Sequence, residues 1–272
     1  MDNLTYTIIK EVKEKGIYKF KNFLTVLEVK KFKNILEPYL QKKGNPETFL
    51  PASLRVIFYK FLKLDFKKVM AGIILRRFAE KKKLEDISSE IFNKKSYNDM
   101  IDCYYSPKSN NNVLPWHIDL AYGGKKNIST SEIIHPDAFS IKFFIYLTPV
   151  GPNNGCTSFV PESHKVTYAI RKGLKDNVLT YEPHWSLEQL LNFIKKNILY
   201  FENYFKGSTT LANFFKNTQD LNNSNTSKFD FFMEAGDAII FDEGGLHKGS
   251  MPSKNDRAVL RFHYKIKKEF LN

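Results

Sequence analysis

The sequence predicts a mainly β fold with helical additions: a double-stranded β-helix core, preceded by N-terminal helices and interrupted by a helical insertion. Three observations lead there. Strand-period segments cluster in residues 96–164 and again in 229–266. Residues 1–95 and 165–228 instead carry apolar side chains at helical spacing. Finally, a His-x-Asp pair, His117 and Asp119, lies in the first strand-rich block and His247 lies far along in the second. A shared site needs a fold that lays an early strand beside a late one, which a closed double-stranded β-helix does.

At 272 residues, with 42% hydrophobic and 15% aromatic content, the chain can bury one sizeable core, and we read residues 1–272 as a single domain. Lys and Arg total 42 against 29 Asp and Glu, a formal charge of +13. That balance favours anionic ligands or nucleic acid. The lysines are scattered, however, and no aromatic is interleaved on the polar side of the basic helical stretch that holds Arg55, Lys60, Lys63, Arg76 and Arg77. This disfavours a nucleic-acid stripe and leaves a small-molecule substrate, with an anionic group as a secondary reading. Cys103 and Cys156 are the only cysteines, which excludes a disulfide framework and a thiolate zinc site and fits a reducing, cytoplasmic compartment. No signal-peptide pattern opens the chain, and no apolar run approaches the roughly 18 residues of a membrane span.

Taken in order, Gly16 to Phe20 reads as a strand within an apolar pattern from Ile8 to Asn22. Thr25 to Glu28 has the spacing of a capping box, with Leu24 placed as its hydrophobic staple, and predicts a helix from Val26 to Leu36 that Pro38 ends. Pro51 opens a second helical region running through Leu54, Phe58, Phe61, Val69, Ile73 and Phe78. From Ser96 the period changes, and Met100 to Tyr105 predicts the first core strand. Phe139 to Leu147 predicts a long strand, turned by Gly151-Pro152-Asn153-Asn154-Gly155 into another from Cys156 to Val160.

The insertion, 165–228, contains a second capping box, Ser186 to Gln189, followed by Leu187, Leu190, Leu191, Ile194 and Ile198 on one helix face. Its tail from Asn213 to Lys228 is rich in Asn, Ser, Thr and Lys and predicts a mobile polar loop, so the insert is placed to act as a lid over a pocket. Phe229 to Met233 and Gly236 to Phe241 predict a strand pair that delivers the chain to His247. In the last strand Arg257, Val259, Arg261 and His263 share one face, with Ala258, Leu260, Phe262 and Tyr264 on the other.

On extended backbone the side chains of His117 and Asp119 point the same way, so an imidazole nitrogen and a carboxylate oxygen lie side by side. Such a pair can hold a divalent metal from one side, and a further histidine would complete a two-histidine, one-carboxylate facial triad with open positions opposite. Alone the motif is weak, since a surface turn with a capping Asp gives the same residues.

The order of His117-Ile118-Asp119, Asn154-Gly155-Cys156, Pro161-Glu162-Ser163-His164-Lys165, Gly236-Asp237, and His247-Lys248-Gly249-Ser250 followed by Arg257 resembles the phytanoyl-CoA hydroxylase-like (PhyH) branch of the iron(II)- and 2-oxoglutarate-dependent dioxygenases. The resemblance covers about residues 97–266, with a weaker likeness over Gly16 to Glu28. It implies a jelly-roll, cupin-like barrel in which His117, Asp119 and His247 bind Fe(II) near one mouth, with positions left for 2-oxoglutarate and O2. It implies hydroxylation of a small or conjugated organic substrate, with release of succinate and CO2. Retention of the carboxylate at Asp119 speaks for hydroxylation over halogenation, because related halogenases carry a small residue there.

A dicarboxylate cosubstrate also needs a cation at its far end, for which a planar guanidinium is well suited. Arg257 is similar in position to the family's cosubstrate arginine, with Arg261 as rival on the same strand face. The family often places a small hydroxyl residue two positions after the distal histidine. Here that position is Gly249, so Ser250 is the displaced candidate for the cosubstrate site. Two other readings stay open: the same chemistry on nucleic acid or protein, and a jelly-roll module that binds without catalysis.

Overall fold

The structure, a computed structural model, describes residues 3–40, 47–49, 66–119, 140–221 and 223–266. Two antiparallel sheets face each other. The large one has the order β1-β7-β5-β9-β3-β2, built from Ile17–Phe20 (β1), Glu47–Thr48 (β2), Ser96–Ser106 (β3), Ser140–Tyr146 (β5), Ala238–Asp242 (β7) and Arg257–Ile266 (β9). The small one has the order β4-β8-β6, built from Leu114–His117 (β4), Thr157–Phe159 (β6) and His247–Gly249 (β8). This is the mainly β, jelly-roll core with helical additions that the sequence predicts.

Alternation decides what each sheet face buries. On β5, Ile141, Phe143 and Ile145 point outward and join Ala238, Ile240, Leu260 and Phe262 in an apolar layer under the N-terminal helices. Those helices are α1 (Asn3–Lys15), α2 (Val26–Leu40), α3 (Phe66–Lys81) and α4 (Leu84–Phe92). The alternate positions Phe144, Tyr146, Ile239, Phe241 and Val259 point inward and meet Phe159 and Cys156 between the sheets. A third layer lies on the outer face of the small sheet, where Trp116, Ile118, Val160 and Leu246 pack against α5 (Ser163–Lys175), α6 (Leu187–Lys196), α7 (Ile198–Tyr204) and α8 (Thr210–Thr218). Each buried Leu, Ile or Phe contributes about 1.5–3 kcal/mol, so all three layers are substantial.

Both capping boxes form. Thr25 N–H donates to Glu28 Oε2 at 2.9 Å while Glu28 N–H donates to Thr25 Oγ1 at 3.2 Å, and Ser186 and Gln189 exchange the same pair of bonds at 3.2 Å each. Elsewhere local signals yield to packing. Helix α1 covers Asn3–Lys15, where only a short apolar pattern is legible, because Ile8, Ile9 and Val12 find a buried face. Gly16, at φ +84°, stops it and turns the chain into β1. Helix α2 runs through Pro38 to Leu40, since burying Tyr39 against Phe49 outweighs the one hydrogen bond that proline removes.

The helix α8 ends inside the expected polar loop, taking in its first residues through Thr218, because Leu211, Phe214 and Thr218 lie at helical spacing and are buried; the described residues from 219 to 228 are turns and loop. Phe229 to Met233 forms no strand: Met233 exchanges hydrogen bonds with Val150, and Phe232 is 74% exposed. The expected helix start at Pro51 and its apolar positions through Phe61 lie outside the described residues.

Candidate metal centre

Strand β4 pairs with β8 so that His117 stands directly opposite His247, and the two imidazole centroids are 4.3 Å apart. Both strands are short, so contacts beyond their ends have to fix the position of the motif. After β4, Ile118 N–H donates to Trp185 O at 3.0 Å and Asp119 N–H donates to Glu243 O at 3.1 Å. Trp116 and Ile118 anchor the motif in the outer apolar layer, and His117 and Asp119 turn the other way, to the inside of the barrel.

The three predicted ligands come together. Asp119 Oδ1 is 3.3 Å from His117 Nε2 and Oδ2 is 3.3 Å from His247 Nε2. One ligand atom from each residue lies within 4.8 Å of the others. Pro115 O receives a hydrogen bond from His117 Nδ1 at 2.7 Å, and Gly245 O receives one from His247 Nδ1 at 2.8 Å. A carbonyl can only accept, so the proton of each neutral ring sits on Nδ1 and the Nε2 lone pair faces inward. His117 Nε2 is buried with no hydrogen-bond partner among the described residues. Two bare imidazole nitrogens and a carboxylate aimed at one another repel unless a cation sits among them, so these residues fit a divalent metal of the imidazole–carboxylate type. Burial lowers the His247 pKa, with proximity to His117 adding to it, which keeps the ring available as a ligand.

A buried chain of charges backs the carboxylate. Lys142, inward on β5, donates to Asp119 Oδ2, and its Nζ is 3.6 Å from Glu243 Oε1. Glu243 Oε1 lies 3.4 Å from His263 Nδ1, and His263 Nε2 lies 3.5 Å from Asp102 Oδ2. Asp102 accepts a fork from Arg261, Nε to Oδ1 at 2.6 Å and Nη2 to Oδ2 at 2.8 Å. Burial alone would raise these acids, but Lys142 holds Asp119 and Glu243 low, and His263 and Arg261 hold Asp102 low. Lys142 is thus occupied by two carboxylates. Glu243 and Asp102 carry no local signal. The period-2 face that continues from Ile239 through Phe241 to Glu243, and the pairing of β3 with β9, are what bring them in.

The two arginines differ in state. Arg261 is spent on Asp102. Arg257 is 3% exposed, donates Nη2–H to Thr157 Oγ1 at 3.1 Å, has Nε without a partner, and meets no carboxylate among the described residues. Its burial lowers the pKa, with the hydroxyl of Tyr146 opposing that. Gly155, at φ +74°, makes room for it: a Cβ there would stand 2.6 Å from Arg257 Cδ. The Asn153–Gly155 turn therefore shapes the arginine's pocket as well as the chain reversal. Ser250 is fully buried, with Oγ 3.4 Å from Cys156 Sγ.

Of the other histidines, His164 packs at the start of α5 with Nε2 3.2 Å from Lys13 O, and His184 donates from Nδ1 to Glu182 O at 2.7 Å. Trp185 is not legible as a site residue in the sequence, yet its ring lies 5.1 Å from that of His117.

A family model described as "Phytanoyl-CoA dioxygenase (PhyH)" matches residues 12–258. No curated protein matches the sequence. Solved structures share the fold at low identity. AviO1 from Streptomyces viridochromogenes Tue57 has a TM-score of 0.53 at 13% identity, covering 97% of this chain and 96% of that one. HygX from Streptomyces hygroscopicus, with nickel and 2-oxoglutarate bound, gives 0.53 at 14%, covering 98% and 88%. The epimerase SnoN, in complex with Fe3+, alpha ketoglutarate and nogalamycin RO, gives 0.53 at 14%, covering 97% and 84%. Among the described residues no helix is long and apolar enough to cross a membrane.

Proposed function

The chain belongs to the phytanoyl-CoA dioxygenase (PhyH) family, and from that premise we propose that it hydroxylates a small or conjugated organic substrate while converting 2-oxoglutarate to succinate and CO2. The observation that carries the reading is the convergence of two Nδ1-tethered imidazoles and one carboxylate on a single point inside the barrel. His117, Asp119 and His247 would hold Fe(II), which supplies the activation of O2 coupled to oxidation of the 2-oxo acid.

Around that point the chain's own residues bind and orient. Arg257 would supply a buried guanidinium, without a carboxylate partner among the described residues, for the far carboxylate of 2-oxoglutarate, and two parallel N–H···O bonds would fix that end of the molecule. Thr157 steadies the guanidinium from one side and Gly155 gives it room. Ser250, shut in beside Cys156, would pack beneath the cosubstrate. Arg261 is assigned to Asp102 and to a stack on Tyr104, its guanidinium 5.0 Å from that ring.

Trp185 and Tyr104 give the site aromatic walls suited to an organic substrate. In this reading the insertion, residues 165–228, serves as a fixed wall behind His117 through Trp185. The two cysteines are free and buried, which fits a cytoplasmic setting.

Anaerobic addition of Fe(II) and 2-oxoglutarate to the apo-protein should produce a weak visible metal-to-ligand band, and His117→Ala should abolish it. A normal band in that variant would overturn the assignment. Substrate-stimulated succinate formation across lipid, sugar, amino-acid and phosphonate candidates then identifies the substrate class.

A further inference from the structure

We propose that Lys142 is a positioning residue that makes Asp119 present a single oxygen to the metal, keeping open the positions that 2-oxoglutarate needs. The inference rests on the reading of His117, Asp119 and His247 as the metal site.

A carboxylate can bind a cation through one oxygen or chelate it through both, and nothing in a His-x-Asp motif selects between these. In a facial triad the choice matters, because a chelating carboxylate occupies one more position and leaves too few for a two-oxygen cosubstrate together with O2. Here the two oxygens of Asp119 are not equivalent. Each oxygen lies 3.3 Å from one imidazole, Oδ1 from His117 Nε2 and Oδ2 from His247 Nε2, but among the described residues only Oδ2 also accepts the hydrogen bond of the Lys142 ammonium. An oxygen already serving an ammonium is a poor second donor to a dication.

Lys142 itself is held on every side. Its strand is paired on both edges, opposite Phe241 on β7 and His263 on β9, so its Cα cannot drift. From behind, Glu243 Oε1 lies 3.6 Å from Nζ and is steadied by His263 at 3.4 Å. Glu243 also closes the loop through its backbone: its N–H donates to Ser140 O at 2.9 Å, and its carbonyl accepts Asp119 N–H at 3.1 Å. Glu243 thus fixes the Asp119 backbone directly and the Asp119 side chain through Lys142.

The test is a double variant, Lys142→Met/Glu243→Gln, which removes one positive and one negative charge and leaves the charge of the site as it was. Fe(II) affinity of the apo-protein is measured anaerobically by calorimetry, and 2-oxoglutarate affinity of the Fe(II)-loaded protein by its visible band. The expected result is that Fe(II) affinity is retained while 2-oxoglutarate affinity falls about tenfold or more, the size usual for a group that orients a metal ligand. Unchanged 2-oxoglutarate affinity overturns the proposal, and so does a parallel fall in both affinities, which a merely structural role would give. Should the double variant fail to fold, Glu243→Gln alone carries the test: a smaller loss of 2-oxoglutarate affinity supports the proposal and an unchanged affinity overturns it. Failure of the wild type to bind Fe(II), or equal binding by His117→Ala, overturns the metal site itself and is thereby distinguished from failure of the Lys142 assignment alone.

Discussion

Replacing Arg257 with Met should weaken 2-oxoglutarate binding strongly while leaving the apo-protein no less stable, an unusual outcome for a buried charge. The guanidinium is 3% exposed, with Thr157 Oγ1 as its hydrogen-bond acceptor, and no carboxylate among the described residues offsets its desolvation. Exchange for an apolar side chain of similar length removes that cost in the free protein. In the complex it removes two charge-assisted hydrogen bonds at about 1.5–3 kcal/mol each. A loss of about 3 kcal/mol is on the order of a hundredfold in Kd.

Arg261→Met provides the contrast. It leaves Asp102, which is fully buried, without its bidentate partner, a change worth about 3–5 kcal/mol of stability and a fall in Tm on the order of 10 °C for a domain of this size. Thermal melts of the apo-proteins and titration of the Fe(II)–2-oxoglutarate band measure both quantities. Normal 2-oxoglutarate affinity in Arg257→Met, or a hundredfold loss in Arg261→Met with unchanged Tm, would refute the division of roles between the two arginines.

Gly155→Ala should act on the same pocket from the turn. Its Cβ would stand 2.6 Å from Arg257 Cδ at a φ of +74°, so we expect roughly 1–2 kcal/mol of backbone strain in denaturant melts together with a raised Kd for 2-oxoglutarate. Ser186→Ala removes the N-cap of α6 next to Trp185 and should cost about 1 kcal/mol, read by chemical denaturation. His164 is packed with Nδ1 against Gly16, and its burial pushes the imidazole down to about 4 from 6.5. Between those values the unfolded chain binds the proton and the folded chain does not, so stability falls as pH drops from 6.5 towards 4, by about 3 kcal/mol in all. In His164→Gln, which can still donate to Lys13 O, urea melts at pH 7 and pH 4.5 should differ by correspondingly less.

Much of this site is legible in the residue pattern alone. His117 and Asp119 share a face because extended backbone alternates, and the glycine-rich turn, the two capping boxes and the alternating last strand are local devices whose physics lies within a few residues. Pattern fails where packing overrides local preference, as where α2 passes Pro38 because Tyr39 is buried, and where the first residues of the insertion's polar tail join α8 because Leu211 and Phe214 find a core.

The partners of each charge are a different matter. Arg257 and Arg261 are equivalent by strand alternation. Only the pairing of β3 with β9, which sets Asp102 opposite Arg261, commits one arginine and leaves the other to an incoming anion. Likewise no neighbour of Lys142 in the chain names its partners; β5, β7 and the segment after β4 bring Asp119 and Glu243 to it. By itself the sequence pointed to the fold class and the candidate ligands, because these rest on residue chemistry, short-range geometry and the order of motifs that resembles a known family. The tertiary structure decided which charges are spent and which remain open, because neutralisation in a low-dielectric interior depends on contacts between strands far apart in the chain.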